Sequence, residues 1–351
     1  MSKPLKIISL GLVVVLVIGL VAGVAFWTAS TAPTDPEPGL YVNGDRVENP
    51  GAMLTVEGHE VSFEDYRHYY LVNKDAVAYS YGDIEWDNDP DGEKAFLMQY
   101  STELELLSNY AWLAYAEQEG IELDDTDYEE INSTLESQKE TYGAAFPQQL
   151  EQMHFADEAQ YLRITEFQRL AQKAQTAYQD KLLEEEGDKL FEETVATAKH
   201  ILISAGIITD VNQAGPNADT ARTAENMYKQ IMQKEDPAAA FEDMRLKYDE
   251  DTEGQPEEGY TFGEGQMEDA FYKATMKLTV GEISKPVASS YGYHIIMRVP
   301  LNTEETEGRR DELIANTITR LVNEKTEELR KALTVEEGAY YSALDKVSNL
   351  Y

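Results

Sequence analysis

AKHILIS, residues 198–204, is a short aliphatic run with one histidine, His200, set inside it. Such a run, bounded by polar sequence, reads as a buried strand. Its counterpart is YGYHIIM, residues 291–297, where His294 is likewise followed by isoleucine. Between them the pattern predicts helices over Thr220–Gln233 and Ala238–Tyr248, Gly- and Pro-rich turns over Thr252–Gly265, and a strand-like run at Val287–Ser289. A polar loop, Asp210–Asp219, precedes the first helix. A β-α-α-loop-α-β order implies a compact α+β domain over residues 196–300. The whole chain has 5 histidines, and two of them sit in strand-like positions of this segment. A lone histidine in an apolar strand is usually a core residue with satisfied hydrogen bonds. Two at the outer ends of one small domain, each followed by isoleucine, are less easily dismissed.

Outside this segment the chain reads as helical. Ser62 before Phe63, with Asp65 three residues on, is a helix start of the N-cap type. An aromatic helix is expected over Phe63–Tyr81, after a strand-like MLTVEGHEV ending at Val61. A longer helix is expected over Glu93–Glu119, with Phe96, Leu97, Tyr100, Leu104, Leu107, Ala111 and Tyr115 as its apolar stripe and Gly120 as its stop. Further helices fit Asp127–Tyr142, Phe146–His154 and Asp157–Glu186. After Pro300 a helix carries Leu313, Thr317, Leu321 and Lys325 along one side, and Val335–Leu350 is amphipathic again.

At the N-terminus, residues 7–27 form an uninterrupted apolar run, long enough at about 1.5 Å per residue to span a hydrocarbon core of about 30 Å. Lys3 and Lys6 precede it, and Asp35 and Glu37 follow, which puts the N-terminus in the cytoplasm and the body outside. An uncleaved anchor is expected, because the run is longer than a signal peptide's and no clean Ala-x-Ala follows. Secretion after cleavage is the alternative. The Pro-, Thr- and Asp-rich stretch behind it reads as a linker.

Composition narrows the function further. The net charge is −37, from 66 acidic and 29 basic residues, which repels phosphate backbones and anionic head groups. Nucleic acid is not an expected partner. The chain has no cysteine, which excludes disulfide scaffolds, thiolate zinc sites, cysteine nucleophiles and an acylated-cysteine anchor. No phosphate-binding glycine loop, G-x-S-x-G elbow or H-E-x-x-H motif is present. Asp87, Asp89, Asp91 and Gly92 match the start of a calcium loop, but Met98 stands where a bidentate glutamate is needed. An acidic, solvated turn is the better account, and no metal or cofactor is expected.

Six ordered segments, AKHILI (198–203), FEDMRLKYDED (241–251), GYTFGEGQMEDAF (259–271), LTVGEIS (278–284), Pro286-Val287 and SYGYHIIMRV (290–299), resemble the parvulin, or rotamase, family of peptidyl-prolyl isomerases. The flanking helices resemble, more weakly, those of PrsA- and SurA-like foldases. The resemblance implies a four-stranded antiparallel sheet with flanking helices, inserted between helical chaperone segments. It implies His200 and His294 as paired catalytic histidines, Asp251 where the family has cysteine or aspartate, and Ser289 as a hydroxyl near the second histidine. Met267 and Phe271 would hold the proline ring, with Phe262 as aromatic wall. Glu257 to Thr261 depart from the family's usual Gly-Gly-Asp-Leu-Gly. The division then expected is an anchor at 1–27, a linker at 28–53, a helical chaperone region at 54–195, the isomerase domain at 196–300, and C-terminal helices at 301–351 that pack on the first region.

The chemistry makes the same demands. Rotation about an X-Pro bond meets a barrier of about 18–20 kcal/mol, and no bond is made or broken. What helps is an apolar grip on the ring and polar groups that favour the twisted amide over the planar one. Read singly, Met267 and Phe271 at i, i+4 are ordinary core packing. The function expected is an extracytoplasmic isomerase and chaperone whose partners are unfolded exported polypeptides with X-Pro bonds. A membrane-anchored holdase with weak or no isomerase activity is the alternative, and a homodimer stays open.

Overall fold

The structure, a computed structural model, describes residues 38–350 except 83, 87, 205–217, 252, 253, 307 and 346–349. The expected membrane run at 7–27, the first part of the linker and most of the loop at 210–219 lie outside the described residues. Among the described residues no helix is long and apolar enough to cross a membrane.

Two short hairpins open the chain: β1 (Tyr41–Val42) with β2 (Asp45–Arg46), and β3 (Ala52–Val56) with β4 (His59–Ser62). Glu57 and Gly58, between β3 and β4, have φ of 49° and 82°, the paired left-handed conformation of a two-residue hairpin turn. MLTVEGHEV is therefore a hairpin, not one strand. Ser62 closes β4 and caps α1 (Phe63–Tyr81), its hydroxyl accepting from the Asp65 N–H at 3.1 Å.

The next helix, α2 (Glu93–Glu119), ends at Gly120 with φ 69°. Its start is held by Asp89, whose carboxylate accepts the Lys94 and Ala95 N–H groups at 3.1 and 2.9 Å. That is the acidic turn resembling a calcium loop, and Asp89 serves it as a helix cap. The expected stripe of α2 is corrected at its first turns. Phe96 is 67% exposed and Leu97 and Tyr100 are exposed, while Ala95, Met98, Thr102 and Leu106 are buried. Tyr66, Tyr69 and Tyr70 of α1 already fill that core with rings, so small and flexible side chains meet them.

Next come α3 (Asp125–Tyr142), α4 (Phe146–Gln152) and α5 (Glu158–Thr194). The last runs past its expected end at Glu186, through Gly187. A Cβ at Gly187 would collide with the Arg310 guanidinium, which crosses there to donate to the Leu183 carbonyl at 3.0 Å. The chain then passes into β5 (Ala196–Ser204), α6 (Ala218–Met232), α7 (Pro237–Tyr248), β6 (Tyr260–Phe262), α8 (Asp269–Lys277), β7 (Val287–Ala288) and β8 (Gly292–Val299). These strands form an antiparallel sheet in the order β6-β5-β8-β7. Finally α9 (Thr303–Thr306), α10 (Arg310–Ala332) and β9 (Val335–Glu337) lead back to the first sheet, where β9 pairs with β3 in the order β4-β3-β9. Where a further amphipathic helix was expected after residue 335, the described residues form β9 and then a 3₁₀ turn at Tyr341–Asp345.

The result is an α+β fold with separate cores. One lies under the β4-β3-β9 sheet, between α1, the first half of α2 and the returning Tyr341, Leu344 and Leu350. Leu40, in the expected linker, is fully buried there and bridges Leu350. A second joins Trp112 and Tyr115 of α2, Ala171 and Ala174 of α5, and Leu313, Ile314, Ile318 and Val322 of α10. The β6-β5-β8-β7 sheet has one core on each face. Leu344 is fully buried, so Leu344→Ala should cost about 2–5 kcal/mol. Urea unfolding followed by amide exchange should show that loss in β3 and α1, with β5 and β8 unaffected.

Candidate active site

Alternation along β5 and β8 decides which side chains share a face. Ile201, Ile203, Ile295 and Met297 point to one side, against Ile231 and Phe241 of α6 and α7. Ala198, His200, His294 and Ile296 point to the other. In the register His200 lies opposite Ile296, and His294 opposite Leu202. The two histidines are thus diagonal neighbours on adjacent strands. Their Nδ1 atoms are 2.9 Å apart, and both residues are nearly buried, at 5% and 6% exposure.

The edge of β5 explains how Asp251 arrives. β6 pairs only with residues 196–198 of β5. Beyond that, the outward backbone groups of β5 need other partners. The chain after α7 supplies them. Gln255 accepts the His200 N–H at 3.0 Å and donates to the His200 carbonyl at 2.7 Å. Asp249 accepts the Leu202 N–H at 2.9 Å, and the Glu250 N–H donates to the Leu202 carbonyl at 3.0 Å. This stand-in strand carries Asp251, whose Oδ2 lies 3.1 Å from His200 Nε2. Tyr260 donates its hydroxyl to the same oxygen at 3.0 Å, and its ring lies edge-on to His200.

At the other end, Ser289 Oγ lies 2.7 Å from His294 Nε2 and accepts the Tyr291 N–H at 3.1 Å. One donor order satisfies every atom with both imidazoles neutral. Ser289 donates to His294 Nε2, His294 Nδ1–H donates to His200 Nδ1, and His200 Nε2–H donates to Asp251. Burial, first, and the neighbouring His200, second, push the His294 imidazole down to about 4, partly offset by Asp251. A neutral His294 is what the chain of hydrogen bonds requires.

The apolar wall stands beside these rings. Phe271 of α8 meets both imidazoles edge-on, at ring-centre distances of 5.4 and 5.2 Å. Phe262 lies 5.6 Å from Phe271, and Met267 packs against the same cluster, half-buried. The structure therefore brings His200, His294, Asp251 and Ser289 into one hydrogen-bonded row, and Phe262, Met267 and Phe271 into one apolar cluster touching it. Sequence reading passed over Tyr260, Gln255 and Asp249. Tyr260 was within reach, because it lies two residues before Phe262 on a strand and so shares its face. Gln255 and Asp249 carry no local signal, since each acts on a backbone group far away in sequence. Among the described residues no group of three His, Asp or Glu side chains is arranged to hold a metal ion.

Comparison with known proteins agrees on this segment. The rotamase family model, described as a PPIC-type PPIase domain, matches residues 200–299. The foldase protein PrsA 2 of Bacillus cereus is 31% identical over 170 residues, covering 48% of this chain and 52% of that protein. The foldase protein PrsA of Bacillus subtilis is 38% identical over 94 residues, or 26% of this chain and 29% of that one. The chain spans about half the length of the curated relatives it matches. A crystal structure of the peptidylprolyl isomerase PrsA from Bacillus cereus aligns at 22% identity and a TM-score of 0.38, covering 81% of this chain and 92% of that one. Residues 200–299 of this chain thus match the parvulin-type rotamase domain, and in its wider sequence the chain is similar to the PrsA foldases.

Proposed function

We propose that the protein is a peptidyl-prolyl cis–trans isomerase that also holds unfolded clients, acting on exported polypeptides outside the cytoplasm. In this reading residues 196–300 are the isomerase domain, set between helical chaperone segments at 54–195 and 301–351, and residues 7–27 anchor the chain in the membrane. The observation that carries it is the row Ser289–His294–His200–Asp251 lying against Phe271, Phe262 and Met267.

The physics of the amide explains why this combination suits the reaction. A planar amide is strongly polar, because resonance moves charge from nitrogen to oxygen. Twisting the bond removes that resonance and much of the dipole. An apolar wall therefore destabilises the planar ground states more than the twisted transition state. Phe262, Met267 and Phe271 supply that wall and grip the ring. The two imidazoles form its floor without bringing a net charge against the ring, and the hydrogen-bonded row holds them in place. Neither a nucleophile nor a metal has work to do.

The exposed Phe96 and Tyr100, stacked 6.1 Å apart on α2, favour client holding as a second activity of the helical region. Suppression of aggregation that survives loss of isomerase activity would separate the two.

His294→Ala and Met267→Ala should each lower kcat/KM on a cis X-Pro peptide by about a hundredfold, measured in the intact chain with circular dichroism checked alongside. Unchanged catalysis in both would overturn the assignment. A second expectation concerns pH. In the unfolded chain His294 titrates near 6.5, and in the folded protein near 4. As pH falls, the unfolded chain takes the proton first. The folded state is therefore fully stable above about pH 6.5 and loses about 3 kcal/mol on His294's account by about pH 4. His68, pushed down to about 4 mainly by burial, adds to the loss in the same window. Isomerase activity should hold to about pH 5 and fall towards 4, in step with the His294 imidazole followed by NMR.

A further inference from the structure

The loop Gly263-Glu264-Gly265-Gln266 joins Phe262 at the end of β6 to Met267 ahead of α8. It therefore connects two members of the apolar wall. The loop does not rest on its own domain alone; it is fastened to α10, which follows the β6-β5-β8-β7 sheet in sequence. Gly263 lies so close to α10 that a Cβ would collide with the Leu313 carbonyl oxygen, which leaves glycine as the residue that fits. The Asn316 side chain donates to the Glu264 carbonyl at 2.8 Å. The Glu264 carboxylate accepts from the Thr317 hydroxyl at 3.0 Å and from Arg320 Nε at 2.9 and 3.1 Å. Gln266 folds back to accept the Gly263 N–H at 2.9 Å and reaches the Glu312 carbonyl at 3.4 Å.

α10 is itself a fixed support. On its other side Ile314, Ile318 and Val322 are packed in one core with Trp112 of α2 and Ala171 of α5. Further along, Thr326 accepts the Trp112 indole N–H at 3.0 Å. An ion pair between two half-exposed side chains contributes little to stability as such. Here its effect is geometric. Thr317 is fully buried, and its hydroxyl finds the Glu264 carboxylate there.

We infer that Glu264 is a positioning residue: held by Thr317 and Arg320, it sets where Met267 stands, so the helical region fixes the shape of the proline-ring wall. This rests on the isomerase reading for its consequence in catalysis, but not for its geometry. It implies that a partner or client that moves α10 changes the grip on proline without touching the imidazoles.

The test uses the intact chain and Arg320→Glu, a change at a half-exposed position outside the sheet domain, where Glu324 adds to the repulsion. Two readouts are taken: kcat and KM for a cis X-Pro peptide, and the methyl resonance of Met267, assigned with Met267→Leu. Arg320→Glu should shift or broaden the Met267 methyl signal and lower kcat/KM by roughly tenfold, the size expected of a small misplacement in a binding wall. The loss should fall mainly in KM. The double change Glu264→Arg with Arg320→Glu should restore both. A wild-type chain that is active, with a variant unchanged in methyl signal and kinetics, overturns the inference. If the wild type does not accelerate isomerisation, the isomerase reading fails instead, and the methyl signal still decides whether Arg320 positions Met267.

Discussion

The antiparallel pairing of β5 with β8 is the constraint on which the site depends. With His200 opposite Ile296 and His294 opposite Leu202, the two imidazoles stand diagonally on one face, their Nδ1 atoms within hydrogen-bond reach. A slip of one residue would turn one imidazole to the other face, among Ile201, Ile295 and Phe241. The isoleucines after each histidine guard against that slip. They fill the opposite core, and a slip would put an imidazole in their place there, its ring nitrogens buried without partners.

The same strand has a need that the rest of the domain answers. β5 is longer than β6, so its outer backbone groups past Ala198 would be left without partners. Gln255, Asp249 and the backbone of Glu250 take those places. Asp251 meets His200 because the chain that covers the strand edge passes there. Satisfying a sheet edge and building a polar row are here one arrangement.

Support for the apolar wall comes from further away. Phe271 belongs to α8 within the sheet domain, but the loop ahead of Met267 leans on α10. α10 in turn is locked between α2 and α5. The Tyr272 hydroxyl donates to the Thr194 carbonyl at the end of α5, a second tie between α8 and the helical region. Close-packed helices transmit displacement because they have little free volume to absorb it. The hydrogen bonds of the imidazole row, by contrast, come from the sheet, its covering loop and the turn between β7 and β8.

Much of this was legible in the residues themselves. The caps at Ser62 and Gly120, the extent of α1 and α2, and the two strands around His200 and His294 follow from local rules, because period and capping are properties of neighbouring residues. The strand that puts Tyr260 and Phe262 on one face was read as turn, because its pairing with β5 is remote in sequence. What failed were features set by partners distant in sequence. β9 is a strand because β3 offers it an edge, α2 turns Phe96 outward because α1 already fills the core, and α5 continues through Gly187 because Arg310 crosses it. The amino-acid order by itself determined the capped helices α1 and α2 and, along β5 and β8, which side chains share a face. Only the tertiary structure decided that Gln255 completes β5 and that Glu264 reaches α10, because a side chain's choice among remote partners depends on where packing brings the backbones together.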